Sequence, residues 1–352
     1  MIDLLGQQLS TALLGGLGGV VLGLAARLGR FCTLGGIEDA LYGDSNLRLR
    51  MWGFAIGIAI LGTFALEGAG VIALENALYL QVEFSWTAAV AGGLIFGYGM
   101  ALAGMCGFGA LARAGGGDLR AFIIVVMLGL SAYATLTGPL APLREMLFPR
   151  AANFLRPDGL AHDLRALTGL PVSIIGGGLG LVLSAAMLWR VNLRRDYVSF
   201  LWAGAVGLAV VSGWAATAWI AANGFDPQRL ISHTYAAPVG ESVLYIMQGS
   251  VRALSFGIGS VVGVMVGAAL GAFWQGHFRW EACEDPRELR RQILGAGLMG
   301  IGAVIAMGCT VGQGISAAST LAYSAPVTLA AIFAGATFGL RQLIVGFGQP
   351  AE

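Results

Sequence analysis

Long apolar stretches alternate with short polar ones along the whole chain, and nine of them approach the roughly 20 residues needed to cross hydrocarbon at about 1.5 Å per residue. They cover residues 9–29, 51–73, 86–105, 119–140, 171–190, 198–221, 251–274, 293–308 and 326–346, and each is expected to be a transmembrane helix. Four further apolar pieces, Phe31–Tyr42, Cys106–Ala114, Tyr235–Met247 and Cys309–Leu321, are too short to cross and read as re-entrant helices. The predicted fold is therefore an all-α polytopic membrane protein of about nine transmembrane helices plus four short re-entrant ones.

The pattern repeats. Gly97–Gly109 (GYGMALAGMCGFG) matches Gly300–Gly312 (GIGAVIAMGCTVG) at an offset of 203, and FCTLGGIEDALYGDSNLRLRMWGF matches YAAPVGESVLYIMQGSVRALSFGI at 204. The second match pairs Gly36 with Gly240, Arg48 with Arg252 and Gly53 with Gly257. Because glycine supplies 56 of 352 residues, the weight rests on ungapped register and on the cysteine pair. The expected domains are a first repeat over residues 1–140 with four spans and two re-entrant segments, an outside loop and linking span over 141–197, and a second repeat over 198–352. One linking span inverts the second half, the 4+1+4 architecture of many secondary transporters.

Composition narrows the class. Hydrophobic residues make up 57% of the chain, charged residues 11%, and the mean hydropathy is +0.78, so a soluble enzyme is excluded. All 20 basic side chains are arginine; without lysine there is no Walker A loop, and the chain does not hydrolyse ATP in that way. A net charge of +1 gives no sign of nucleic-acid binding. No cleavable leader is expected, since the first apolar stretch lacks a basic lead-in. In the nine-span topology, Arg27, Arg30, Arg48, Arg50, Arg113, Arg120, Arg190, Arg194, Arg195, Arg279, Arg287, Arg290, Arg291 and Arg341 share one side, leaving six on the other. That bias puts the 14 in the cytoplasm, the N-terminus outside and the C-terminus inside a bacterial inner membrane. The acidic, arginine-free loop Leu74–Ser85 agrees, whereas segment 141–170, read as a surface loop with Pro142, Pro149 and Pro157, carries four arginines outside.

Chemistry is expected at the breaks. Non-helical backbone within a membrane is tolerated only where protein or a water-filled path satisfies it, and a helix beginning there offers free N–H groups and the positive end of its dipole to an anion. Cys32, Cys106 and Cys309 open three of the four short pieces, and Ala236 stands where the third would have its cysteine. A single membrane cysteine is ordinarily a small hydrophobe; three at repeated breaks argue for a working role. Cys283, in the charged loop FRWEACEDPRELRR, reads as incidental, and the absence of CxxC or Cys/His spacing speaks against zinc. No cofactor is implied. His233 is expected in a solvated loop, while Glu38, Asp39 and Glu241 read as caps in preference to proton-coupling groups. Gly15, Gly16, Gly18, Gly19 and Gly23 are expected to let helices pack closely.

RFCTLGGIEDALYGD, GMALAGMCGFGALARAGGGDLR, TYAAPVGESVLYIM and AMGCTVGQGISAASTLA resemble the four signature segments of the YeeE/YedE sulfur-transport family, and the resemblance spans nearly the whole chain. It implies an hourglass-shaped importer of thiosulfate or a related small sulfur-containing anion, passed through a central constriction by Cys32, Cys106 and Cys309 with Thr33, Gly107, Thr310 and Ala236 beside them. Cys283 matches no family cysteine. A neutral thiol can meet the soft terminal sulfur of a dianion without opposing charge; a thiolate would repel it. The resemblance also implies a small cytosolic TusA-like sulfur carrier as partner, and basic loops around Arg194, Arg195, Arg287, Arg290 and Arg291 could receive one. The alternative activity is a membrane thiol or sulfurtransferase enzyme with a persulfidated cysteine, and a third reading is a structural subunit; unpaired cysteines weigh against the former, and the repeated breaks against the latter.

Overall fold

A computed structural model describes residues 6–43, 45–150, 159–189, 191, 193–225, 228–282 and 285–345. Cys283, Arg156, Pro157, Arg190 and both chain ends lie outside the described residues, as does the side chain of Arg194. Among the described residues the regular structure is helical: α1 Gln7–Leu28, α2 Thr33–Tyr42, α3 Leu47–Gly68, α4 Leu78–Gln81, α5 Trp86–Ala103, α6 Gly107–Gly115, α7 Leu119–Leu136, α8 Ala141–Leu147, α9 Leu160–Thr168, α10 Val172–Leu188, α11 Leu193–Asn223, α12 Ala236–Gln248, α13 Phe256–Trp274, α14 Pro286–Ile305 and α15 Ser324–Val345. A short helix after Cys309 contains a π-helical segment, Gly312–Ala317.

Among the described residues, seven helical stretches are long and apolar enough to cross a membrane: 7–42, 47–68, 86–115, 119–136, 195–223, 256–274 and 324–344. Two of the nine expected spans fall short for different reasons. Helix α10 has only 17 residues and meets α9 at a 118° bend. In α14 the first two turns are spent on PRELRRQ, so its apolar part begins only at Ile293. Segment 141–170 departs from the expected loop. Pro142 sits in the first turn of α8, where its missing N–H costs nothing, and α9 follows under a Gly159 entry. The segment is also tied down, since Leu160 N–H donates to Leu321 O (3.0 Å) and Tyr323 O–H to Asp163 Oδ2 (2.6 Å).

Glycine sets the helix spacing. A Cβ at Gly15, Gly19 or Gly23 on α1 would collide with the carbonyls of Phe256, Ser260 and Val264, and one at Gly259, Gly263 or Gly267 on α13 with those of Ala12, Gly16 and Val20. The two helices therefore run backbone on backbone, the arrangement that gains van der Waals contact where lipid offers no hydrophobic driving force. Helix α5 is clasped the same way by α14 and α15, while α3 packs on α10 and α11, and α7 on α12 and α14. Trp214, Tyr235, Phe64, Phe96 and Phe108 fill the fully buried interior between these pairs.

Candidate functional site

Four short helices begin inside the bundle, each at a residue whose carbonyl accepts the first intrahelical hydrogen bond. Cys32 O accepts from Gly36 N–H (3.1 Å), Cys106 O from Ala110 (2.8 Å), Tyr235 O from Val239 (3.3 Å) and Cys309 O from Gln313 (2.8 Å). These are N-cap positions, where the following N–H groups have no helical partner. Cys106 partly supplies one, its Sγ accepting from Gly109 N–H at 3.3 Å. The cap at the third break is Tyr235, one residue ahead of the Ala236 expected from the sequence register.

All three cysteines are delivered by the same backbone device. Two residues before each, the chain turns left-handed: Arg30 at φ 51°, Gly104 at φ 74° and Met307 at φ 60°. Glycine takes this conformation freely, whereas Arg30 and Met307 bear a strain of about 1 kcal/mol or more that the surroundings must hold. Around Met307 the holding is visible. Gln313 Nε2 donates to Ala306 O (2.8 Å) and Met307 O (3.3 Å), and Gln313 Oε1 accepts from Ser324 Oγ (3.1 Å). The extended run before Tyr235 is satisfied in kind: Thr217 Oγ1 donates to Ile231 O (2.8 Å), Ser316 Oγ to His233 O (2.6 Å), and Leu230 O accepts from Leu78 N–H (3.3 Å).

Cys106 and Cys309 are buried and Cys32 is partly exposed; all three are free thiols. Cys32 and Cys309 stand close enough to Cys106 to interact with it electrostatically, and Cys309 interacts in the same way with the buried hydroxyls of Tyr79 and Tyr235. Thr33 and Thr310, each following a cysteine, are buried with hydroxyls that form no hydrogen bond of good geometry, and the Trp52 indole N–H is buried in the same state. Thr310 adjoins Cys106, and Trp52 stacks on Phe31, the neighbour of Cys32, with ring centroids 4.6 Å apart. Gly107 packs under Leu128 at the start of its helix. Unused donors at a buried point are what an anion requires, because it can only accept.

Two cavities reach this point. The first, about 530 Å³, is lined by Tyr79, Thr234, Ala236, Met307 and Gly308, the last adjacent to Cys309, with Arg144, Arg150 and Arg229 around it. The second, about 300 Å³, is lined by Cys32, Gly35, Glu38 and Gly109, with Arg27, Arg30, Arg48 and Arg113. Arg27, Arg30, Arg48 and Arg113 thus share a lining with Cys32, whereas the arginines of the first cavity share theirs with Gly308, the neighbour of Cys309.

Three sequence readings change. His233 is fully buried and not solvated, its Nδ1 2.7 Å from Ser260 Oγ, which in turn donates to the Tyr235 hydroxyl (3.2 Å). Asp39 is an ion-pair partner of Arg48 (3.2 Å), and its own helix α2 and the following α3 have Cys32 and Asn46 as their N-caps instead. Glu241 accepts from Oγ of Ser255 (2.9 Å), the residue that caps α13. Tyr79, Tyr235 and Trp52 were invisible to motif reading, since an aromatic in an apolar run signals core; only their hydroxyl and indole hydrogens mark them as more.

A sequence model of the sulphur-transport family matches residues 28–338. Among similar proteins, a thiosulfate transporter TsuA of Escherichia coli (strain K12) is 27% identical over 324 residues, covering 84% of each chain. A thiosulfate transporter TsuA of Spirochaeta thermophila is 26% identical over 329 residues, covering 90% of this chain and 93% of its own. With the family match running across most of its length and through all four breaks, the chain belongs to the sulphur-transport family, as a multi-pass membrane transporter of sulfur compounds and not an enzyme.

Proposed function

We propose that the protein imports thiosulfate, or a closely related small sulfur-bearing anion, across a bacterial inner membrane, handing it between Cys309, Cys106 and Cys32 at a central constriction. The observation that carries this reading is the convergence of three free cysteines, each capping a short helix, on a buried point between two arginine-lined cavities. The division of labour follows from the anion's own chemistry. Its oxygens suit the helix N–H groups and the buried Thr33 and Thr310 hydroxyls, while its soft terminal sulfur suits a weak S–H donor. Weak contacts bind well enough to admit the ion and loosely enough to release it.

The proposed architecture has nine spans in a 4+1+4 inverted repeat, with α14 crossing despite its charged start and α10 as the linking span. Helix contacts support it, because three meetings recur with the halves exchanged: α1 on α13 as α11 on α3, α5 on α15 as α14 on α7, and α2 on α15 as α12 on α7. In this arrangement the first cavity faces outside and the second the cytoplasm, where a small TusA-like sulfur carrier would receive the sulfur.

The test is uptake of radiolabelled thiosulfate by liposomes carrying only this protein. Uptake above protein-free liposomes is expected, and Cys32→Ala, Cys106→Ala and Cys309→Ala should each depress it at least tenfold, equivalent to about 1.4 kcal/mol in the barrier, while Cys283→Ala should not. Equal transport by all four variants would remove the thiol relay.

A further inference from the structure

Arginines on the outer side run against the charge bias that orients the chain, and the structure gives them a common destination. Arg144 belongs to α8, Arg150 to the segment that follows it, and Arg229 to the stretch leading to the third break, yet all three line the cavity whose floor is Thr234, Ala236 and Gly308. Arg144 is offset by Glu145 at 2.9 Å on the exposed side. Among the described residues Arg150 and Arg229 form no ion pair, and Glu83 lines a pocket that Arg150 also lines. Burial, and the nearby Arg144, pull the Arg150 guanidinium down to about 10, which leaves it a cation at neutral pH.

Arg150 has a second contact. Its Nη2 donates to Ile305 O, the last residue of α14, just ahead of the left-handed Met307 and Cys309. A helix C-terminus carries a partial negative charge that would repel an anion approaching Cys309. The guanidinium cancels that end at the mouth of the path.

We propose that Arg144, Arg150 and Arg229 form an outer capture site for divalent oxyanions, with Arg150 also neutralising the carbonyl end of α14, so that charge is selected here and sulfur only at the thiols below. The proposal rests on the transport reading. At about 530 Å³ the cavity is far roomier than a four-coordinate oxyanion, so the ion is held hydrated by a converging field instead of being clamped. Sulfate, which shares the charge and geometry but lacks the terminal sulfur, therefore occupies the site without passing.

Arg150→Gln and Arg229→Gln, singly and together, test this; glutamine keeps a donor for Ile305 and removes the charge. In proteoliposomes each should raise the KM for thiosulfate about three- to tenfold with the maximal rate retained, flatten its dependence on ionic strength, and weaken competitive inhibition by sulfate in parallel. Cys309→Ala should instead lower the maximal rate and leave sulfate inhibition intact. Calorimetric titration of the detergent-solubilised protein with sulfate separates the two levels, since it reads capture whether or not the protein transports. Wild-type sulfate binding that is lost in the double variant sustains the site even if liposomes take up nothing. Equal sulfate affinity in wild type and double variant, with both eluting as folded protein, overturns it.

Discussion

Gln313 holds the fourth break together with a single amide. Fully buried, it spends both hydrogens on the carbonyls of Ala306 and Met307 and its oxygen on Ser324, bracketing the strained residue two positions ahead of Cys309. Leucine has similar bulk and none of these bonds. Gln313→Leu should leave buried carbonyls unpaired and cost about 1–3 kcal/mol, seen as a lower unfolding temperature in detergent, and it should depress uptake beyond that loss because Cys309 is no longer fixed. An unchanged melt and unchanged uptake would mean the backbone holds Met307 without it. At this scale the sequence was informative where chemistry repeated. Cys32, Cys106 and Cys309 announced themselves by context, and Thr33 and Thr310 by following them; the structure buries both hydroxyls, that of Thr310 beside Cys106. It was uninformative where a residue's role depends on what surrounds it. His233 sits among polar and small residues that resemble a loop, yet the run is buried because Ser316 and Thr217 take up its carbonyls. The slip from Ala236 to Tyr235 is a one-residue difference in where a helix starts, set by local hydrogen bonds that an apolar pattern does not encode.

Helices pair through glycine ridges spaced four residues apart, Gly15, Gly19 and Gly23 against Gly259, Gly263 and Gly267. Gly19→Leu or Gly263→Leu must push two backbones apart, since the obstructing atoms are carbonyls of the facing helix and not flexible side chains. Each should abolish or sharply reduce the monodisperse peak in size-exclusion chromatography. Gly177→Leu and Gly178→Leu on α10, where an added Cβ meets nothing within 4 Å, should be tolerated, and equal behaviour of both pairs would refute the ridge argument. The close packing itself was legible, because five glycines inside one apolar span have few other uses. Element ends were less so. Apolar runs continue through Gly104 and into Met105, but the left-handed glycine stops α5 there, and the charged start of α14 and the 17-residue α10 separate a hydropathy count of nine from a length-and-composition count of seven. The prolines of segment 141–170 suggested a loop; Pro142 instead starts a helix, because proline is unfavourable inside a helix but not in its first turn.

In the proposed topology arginine orients the whole molecule, and the cavities account for the arginines that run against that bias. Arg27, Arg30, Arg48 and Arg113 gather around the cavity that Cys32 lines, on the face that also collects the basic loops near Arg195, Arg287, Arg290 and Arg291. Arg144, Arg150 and Arg229 gather around the opposite cavity, where their role as anion ligands, and not topology, accounts for them. An odd number of crossings is required if the halves are inverted, since one linking helix must reverse the second relative to the first. The N-terminus is then outside and the C-terminus cytoplasmic. A fluorescent protein that matures only in the cytoplasm should glow when fused after Glu352 and stay dark when fused ahead of Met1, and Arg290→Glu with Arg291→Glu should leave both signals as they are, because the remaining arginines still outnumber those outside. Matching signals at the two ends would mean an even span count; α10 or α14 would then fail to cross, the halves would no longer be inverted, and the two arginine-lined cavities could not open to opposite sides.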